Sequence, residues 1–189
     1  ELLLTLINEH VTPVVPSQGS VGASGDLAPL SHLALVLVGE GKAYFDGHLY
    51  PGAEALKLAG LSPVVLKAKE GLALVNGTQA MGALGVVTLN EAERIGVAAD
   101  MAASLTMEAL QGIICAFDSD LLAVRPQTKK KKVGARMRHF LKGSKRITKQ
   151  GELRMQDAYS LRCIPQVHAA SWQSFHHADN VIHVEVNAT

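Results

Sequence analysis

Hydrophobic positions recur at helical spacing along most of this chain, and the breaks between them are sharply placed. Residues 2–11 carry such a pattern and meet Pro13 and Pro16, so a first helix is expected to end there. Residues 17–25 are small and polar and read as a loop. Asp26 follows as an N-cap residue, and Pro29 falls in the first turn of the next helix, where a missing amide hydrogen does no harm. That helix is expected to run to Val38 and stop at Gly39 and Gly41. The segment KAYFDGHLY, 42–50, reads as a small β-hairpin turning at Asp46-Gly47, and these are the only strands expected. A short helix over 51–59 is closed by Gly60. Core helices are predicted over about 67–117, rich in Ala, Leu, Met and Val. Their charges, such as Glu91, Glu93, Arg94 and Asp100, are sparse, so these helices are expected to be buried over most of their surface. A basic loop at 129–132, a short basic helix at 133–141 and a last helical region at 155–186 complete the chain. The predicted class is mainly α, a helical bundle with one hairpin, and oligomeric because helices this apolar need partners.

Composition narrows the classes without choosing among them. The chain has 189 residues, 48% hydrophobic and 19% charged, which suits one packed core or two small ones and excludes disorder. A net charge of +1 gives no general attraction to nucleic acid or to an anionic membrane. Cys115 and Cys163 cannot build a disulfide framework, so a reducing, cytoplasmic setting is expected. The opening ELLLTLINEH lacks the basic region of a signal peptide. The longest unbroken apolar run, near 33–38, is far short of a membrane span, and no membrane partner is expected. With no initiator Met, and with VEVNAT lacking any stop signal, the sequence reads as part of a longer chain.

Candidate chemistry centres on GSVGASGDLAPL, 19–30. The residue two after Ser24 is Asp26, so Ser24 does not sit in a Gly-x-Ser-x-Gly nucleophile elbow. The glycines lack dinucleotide-binding spacing, and no Lys-Ser/Thr follows to make a phosphate loop. A plain turn before a capped helix is one reading. A sharper one follows from the backbone. In a tight bend the Gly25 amide nitrogen reaches the Ala23 carbonyl carbon, unhindered by any side chain. Ring closure with loss of water, then loss of the Ser24 hydroxyl as a second water, leaves an imidazolone carrying an electrophilic methylene. Asp26 is placed to shuttle protons, with the positive end of its helix at the site.

Other polar residues stand among apolar neighbours. Asn76, in LALVNGTQ, is either a helix end or a buried amide in need of partners. Gln156, Tyr159 and Arg162 are three apart and would share one helix face, as a surface stripe or a pocket wall. His168, His176, His177 and His183 have no cysteine or carboxylate pattern to complete a metal site, and no metal is expected. The run KKKK at 129–132, with Arg136, Arg138, Lys142, Lys145 and Arg146, could be a nuclear signal or phosphate patch. Without interleaved aromatics it reads better as a solvated loop and helix face, with no nucleic-acid partner.

GSVGASGDLAPLSHLAL closely resembles the prosthetic-group loop of the aromatic amino acid ammonia-lyase family, in its histidine branch. The likeness extends through VGEGKAYFDG, KEGLALVNGTQ and QDAYSLRCIPQVH to nearly the whole chain. It implies the ammonia-lyase helical fold, with 1–189 the central part of a single catalytic region: prosthetic-group loop 17–26, core helices about 67–117 and a second active-site helix about 155–186. It implies that Ala23, Ser24 and Gly25 mature into methylidene-imidazolone with no external cofactor. By the same resemblance Asn76 contacts substrate beside that group, Arg162 clamps the substrate carboxylate, Tyr159 handles protons and Gln156 lines the pocket. The last three come from a neighbouring subunit, so a homo-oligomer, a tetramer in the family, is implied. The family's base tyrosine lies upstream of Glu1 and a pocket glutamate beyond Thr189. Two departures stand out: QTKKKK after Arg125-Pro126, where the family has His-x-Gly-Gln or His-Pro-Gly-Gln, and Ala169 in place of a glycine after PQVH.

The function this implies is non-oxidative deamination of L-histidine to trans-urocanate and ammonia. A phenylalanine or tyrosine ammonia-lyase is the alternative within the family; DLAPLSH and SLRCIPQVH follow the histidine branch instead. A truncated chain that only assembles or binds is the alternative from another class.

Overall fold

The structure is a computed structural model and describes residues 1–188. The fold is mainly α with one small sheet, and the chain divides into two compact units, Glu1–Leu84 and Gly85–Thr189.

In the first unit, α1 (Leu2–Asn8) ends earlier than the apolar spacing suggests, because His10 turns into the left-handed region at φ 55°. The chain then forms a short strand, β1 (Thr12–Pro13), which pairs antiparallel with β2 (Lys42–Phe45). β2 in turn pairs with β3 (His48–Pro51). The expected hairpin is therefore there, but the sheet has three strands, and the expectation of only two is corrected. Pro13 is tolerated because it lies on an edge strand, where its missing donor faces no partner. Asp46 and Gly47, at φ 48° and 76°, turn the hairpin with two left-handed residues, the geometry that suits the twist of the strands. Helix α2 (Leu27–Leu37) begins at Asp26 as expected, with Pro29 in its first turn. Helices α3 (Gly52–Leu58) and α4 (Glu70–Val75) follow. Leu6, Val11, Val36, Leu37, Ala43 and Leu56 form the core, so α1, α2, α3 and the sheet share one apolar centre.

Helix α5 (Gln79–Ala109) opens near the end of this unit and supplies the first long helix of the next. In the second unit α5 is followed by a 3₁₀ turn (Ile114–Phe117), α6 (Ser119–Ala123), α7 (Thr128–Phe140), α8 (Tyr159–Arg162) and α9 (Ile164–Val186). Asp118 caps α6, its Oδ1 accepting from the N–H groups of Asp120 and Leu121 at 2.9 and 3.0 Å. The core gathers Met107, Phe117, Val133, Met137, Ile164 and Ala169. Ala169, where the family pattern has glycine, is thus a buried packing residue.

Polar side chains tie this unit together as well. Asp100 on α5 is fully buried and meets Arg136 of α7 (Nη2 to Oδ2, 2.6 Å) and His168 of α9 (Nδ1 to Oδ1, 2.6 Å). The Arg136 guanidinium also lies 4.3 Å from the Trp172 ring centroid.

Three expectations for this half need correction. Residues 129–132 are helical, forming the first turns of α7. On α5 only Asp100, Ser104 and Met107 are buried, while Val87, Ile95, Met101 and Leu105 face outward. No described residue covers that side. And although no unbroken apolar run is long, the helical stretch 70–109 is long and apolar enough to cross a membrane by length and composition, a property core helices of bundles share.

Candidate active site

The residues singled out from the sequence fall into two groups, one in each unit. In the first, the loop before α2 is drawn tight. Ser24 adopts φ 54° and Gly25 φ 123°, both left-handed, and the Ala23 N–H donates to the Gly25 carbonyl at 3.0 Å. The Leu27 N–H donates to the Val21 carbonyl (2.9 Å), and a bridge pairs Gly22 with Asp26. Glycine is required at position 25 twice over. Its φ suits no L side chain, and a Cβ there would lie 1.8 Å from the Gly77 carbonyl oxygen. The Asn76-Gly77 turn is thereby pressed against the loop, which brings Asn76 into the neighbourhood of 23–25.

Two details differ from the sequence reading. Asp26 occupies the N-cap position of α2, yet its carboxylate caps nothing in the helix; Oδ1 accepts from the Val21 N–H at 2.9 Å and so cinches the loop. Asn76 is exposed, not buried, and ends α4 as its C-cap. Of the two readings weighed for it, the helix end is the one seen, and it is a helix end beside the loop. Ala23 and Ser24 are exposed as well.

In the second unit, Gln156 and Arg162 line a cavity of about 300 Å³, with Asp157, Cys163 and Gln166 among its other walls. That volume lies at the small end of the about 300–1,000 Å³ typical of small-ligand sites. The Arg162 Nε is buried and has no hydrogen-bond partner, so one donor of its guanidinium fork is left unmet. Its guanidinium carbon lies 5.3 Å from the Tyr159 ring centroid. Tyr159 itself is 72% exposed and does not line the cavity. Its hydroxyl pKa is raised above the ordinary 10.0, chiefly by a side-chain hydrogen bond with Cys163 and by the charge that thiol would carry, against a lowering from Arg162. The phenol therefore holds its proton.

Gln156 is not on the helix that carries Tyr159 and Arg162, so the shared face of three residues is corrected to a pair. The helix starts after Ala158, whose extended backbone (φ −55°, ψ 150°) breaks the pattern. The cause is Asp157, a residue the sequence reading passed over. Its buried Oδ2 accepts from the Ile113 N–H at 2.6 Å, and its Oδ1 pairs with Arg154 Nε at 3.2 Å. This pins the segment to the end of the 110–113 loop and fixes where Gln156 and Arg162 stand. Its only sequence signal is an acidic residue lodged between Gln156 and Ala158.

The family described as aromatic amino acid lyase matches residues 1–189, and the chain belongs to it. The histidine ammonia-lyase of Geobacillus sp. (strain WCH70) is 55% identical over 188 residues, covering 100% of this chain and 37% of that protein. Among solved structures, Pantoea agglomerans phenylalanine aminomutase matches with a TM-score of 0.87 at 31% identity, over 97% of this chain and 39% of that one. The histidine ammonia-lyase of Trypanosoma cruzi matches with a TM-score of 0.78 at 36% identity, over 98% and 34%. The chain thus spans little more than a third of the length of the relatives it matches.

Proposed function

We propose that this chain is the part of a histidine ammonia-lyase that carries the electrophile and part of the substrate clamp, in an enzyme converting L-histidine to trans-urocanate and ammonia. The observation that carries this reading is the conformation of 23–25. A methylidene-imidazolone built from Ala23, Ser24 and Gly25 needs a contracted turn with no side chain at its third residue. The left-handed Ser24, the 3.0 Å bond across the turn and the Gly25 site that admits no Cβ fit that need. Such a group, made from the chain with no external cofactor, supplies an electrophile for the substrate's α-amino nitrogen. The 55% identity to a histidine ammonia-lyase, rather than the 31% to a phenylalanine aminomutase, supports L-histidine as the substrate.

The chain's own residues then divide the work. Asp26, with Oδ1 held by the Val21 N–H, is in place to move protons at the loop as it matures. Asn76 presents its amide to the substrate beside the loop. Arg162, a wall of the cavity, offers its guanidinium to the substrate carboxylate, which a planar fork grips in two places. Gln156 lines the cavity, and Tyr159, holding its proton, donates rather than abstracts. In the assembled enzyme, a homotetramer, Gln156, Tyr159 and Arg162 serve the loop of a neighbouring copy. Two unpaired cysteines accord with a cytoplasmic setting.

The test is mass spectrometry of the intact enzyme that carries this sequence. A peptide containing 23–25 is expected to be lighter than its sequence mass by two waters, and Ser24→Ala should abolish both that loss and urocanate formation. An unmodified peptide from folded, oligomeric protein that still forms urocanate would overturn the reading.

A further inference from the structure

The cavity that holds Arg162 is walled by two segments far apart in the chain, one giving Ile113 and Cys115, the other Gln156, Asp157 and Arg162. A buried carboxylate joins them. Asp157 is 6% exposed, and its Oδ2 accepts from the Ile113 N–H at 2.6 Å. Its Oδ1 is buried as well and faces Arg154 Nε at 3.2 Å, an ion pair without a hydrogen bond's alignment. Arg154 Nη2 donates in turn to the carbonyls of Leu110 and Gln111, the latter at 3.0 Å. The turn that offers the Ile113 N–H is itself fixed. Gln111 is left-handed at φ 49°, and the Gly112 N–H donates to the Met107 carbonyl at 2.8 Å. A Cβ on Gly112 would lie 2.4 Å from Met107 Cε and 3.2 Å from Asp157 Oδ2, so glycine lets the carboxylate close on the backbone. From Asp157 the path to Arg162 is short. The Ala158 carbonyl accepts from the N–H groups of Leu161 and Arg162 at 3.0 and 3.2 Å, so the residue after the anchor also holds the backbone of the clamp. A buried ion pair adds little net stability, and what this one supplies is a fixed backbone.

We propose that Asp157 is a positioning residue for the substrate's carboxylate: by tying residues 156–158 to Ile113, it sets where the Arg162 fork stands. A misplacement of about 1 Å at such a group is enough to lose much of a two-point grip. The inference rests on the reading of Arg162 as the carboxylate clamp. Asp157 acts through the Ala158 break and not on the substrate itself, with Arg154 as its support.

Steady-state kinetics of the intact enzyme with L-histidine tests this. Asp157→Ala, which removes the acceptor, is expected to raise KM about tenfold with kcat within about twofold, because a carboxylate grip serves ground and transition states alike. Asp157→Asn keeps an oxygen for the Ile113 N–H and should stay within about threefold of the wild-type KM. In an Arg162→Lys background the effect of Asp157→Ala should shrink below about twofold, since the fork it acts through is gone. If Asp157→Ala does not fold, Arg154→Gln takes its place. It removes the ion pair and leaves the Ile113 bond, for an about threefold rise in KM that again needs Arg162. An unchanged KM, a loss in kcat alone, Asp157→Asn as weak as Asp157→Ala, or an equal loss with and without Arg162 would each overturn the proposal. Calorimetry on the Ser24→Ala enzyme, which is expected to bind without turnover, separates this from the reading it rests on. L-Histidine bound more weakly after Asp157→Ala, with histamine, its analogue without a carboxylate, bound as before, supports the anchor. L-Histidine bound equally with and without Asp157 would sink the anchor alone, whereas no binding of L-histidine by any variant would sink the reading and the anchor with it.

Discussion

Arg162 carries the most specific chemistry of any single residue here, because its Nε is buried and unmet and the residue lines a ligand-sized cavity. A lysine keeps the charge but not the fork. Arg162→Lys in the intact enzyme should therefore lose about 1.5–3 kcal/mol of transition-state stabilisation, the scale of a hydrogen bond to a charged group. That is roughly a tenfold to 150-fold fall in kcat/KM for L-histidine. A change within about twofold, well under 1 kcal/mol, would remove Arg162 from the carboxylate site. Its neighbour Tyr159 gives a prediction in pH. The side-chain hydrogen bond with Cys163 raises the phenol pKa above 10.0, so whatever stability that bond gives is present below the ordinary tyrosine pKa and fades only as pH climbs through the raised value. No change near neutrality should trace to Tyr159. Cys163→Ala should move its ultraviolet titration back toward the ordinary range, and an unmoved titration would mean the thiol is not the cause.

At the scale of elements, the structure rests on pairings between helices far apart in the chain. Asp100 on α5, Arg136 on α7 and His168 on α9 meet through contacts of 2.6 Å, with the aspartate fully buried. Removing one partner of such a group leaves the others desolvated, and costs about 3–5 kcal/mol where the charge is wholly buried. Asp100→Ala is expected to lower the denaturant midpoint correspondingly while leaving the first unit's hairpin untouched; a loss under about 1 kcal/mol would show the network to be solvated. None of this was legible in the sequence, where Asp100 is one sparse charge and His168 one of several histidines, because burial partners 36 and 68 residues away leave no local pattern. What was legible follows local rules. The hairpin at Asp46-Gly47 comes from turn chemistry that acts within four residues, and α2 starts at Asp26 as the residue types suggest, though its carboxylate turns back to the loop and not to the helix. The start of α7 has no such mark. Gln127 makes no side-chain cap, and four lysines resemble a solvated loop, yet Val133 and Met137, four apart and buried, draw the run into the helix. For the candidate site, a tight loop at 23–25 was suggested by its small residues and Arg162 only by the family resemblance, whereas the break before Tyr159 depended on Asp157 reaching Ile113, 44 residues away.

On the scale of the whole molecule, the balance of covered and uncovered surface decides what this chain can do by itself. Leu84 and Leu105 on α5 and Val184 on α9 are each at least two-thirds exposed, and Ile95 and Val167 nearly so. Large apolar side chains left uncovered in such numbers favour association. In relatives almost three times as long, the remaining chain is available to cover them. The 189 residues hold the loop, Asn76 and the Arg162 cavity, but the family's base tyrosine and pocket glutamate, by resemblance, fall outside them. Expressed alone, the chain is therefore expected to be poorly soluble and to form no urocanate, and extending it to the relatives' full length should restore both properties. The measurements are the soluble fraction after centrifugation and the rise in urocanate absorbance, with Ser24→Ala as the blank. A soluble 189-residue chain that makes urocanate would mean that a residue inside it removes the substrate proton. Tyr159 would then be the first to replace, and its hydroxyl would have to give up the proton that Cys163 now helps it hold.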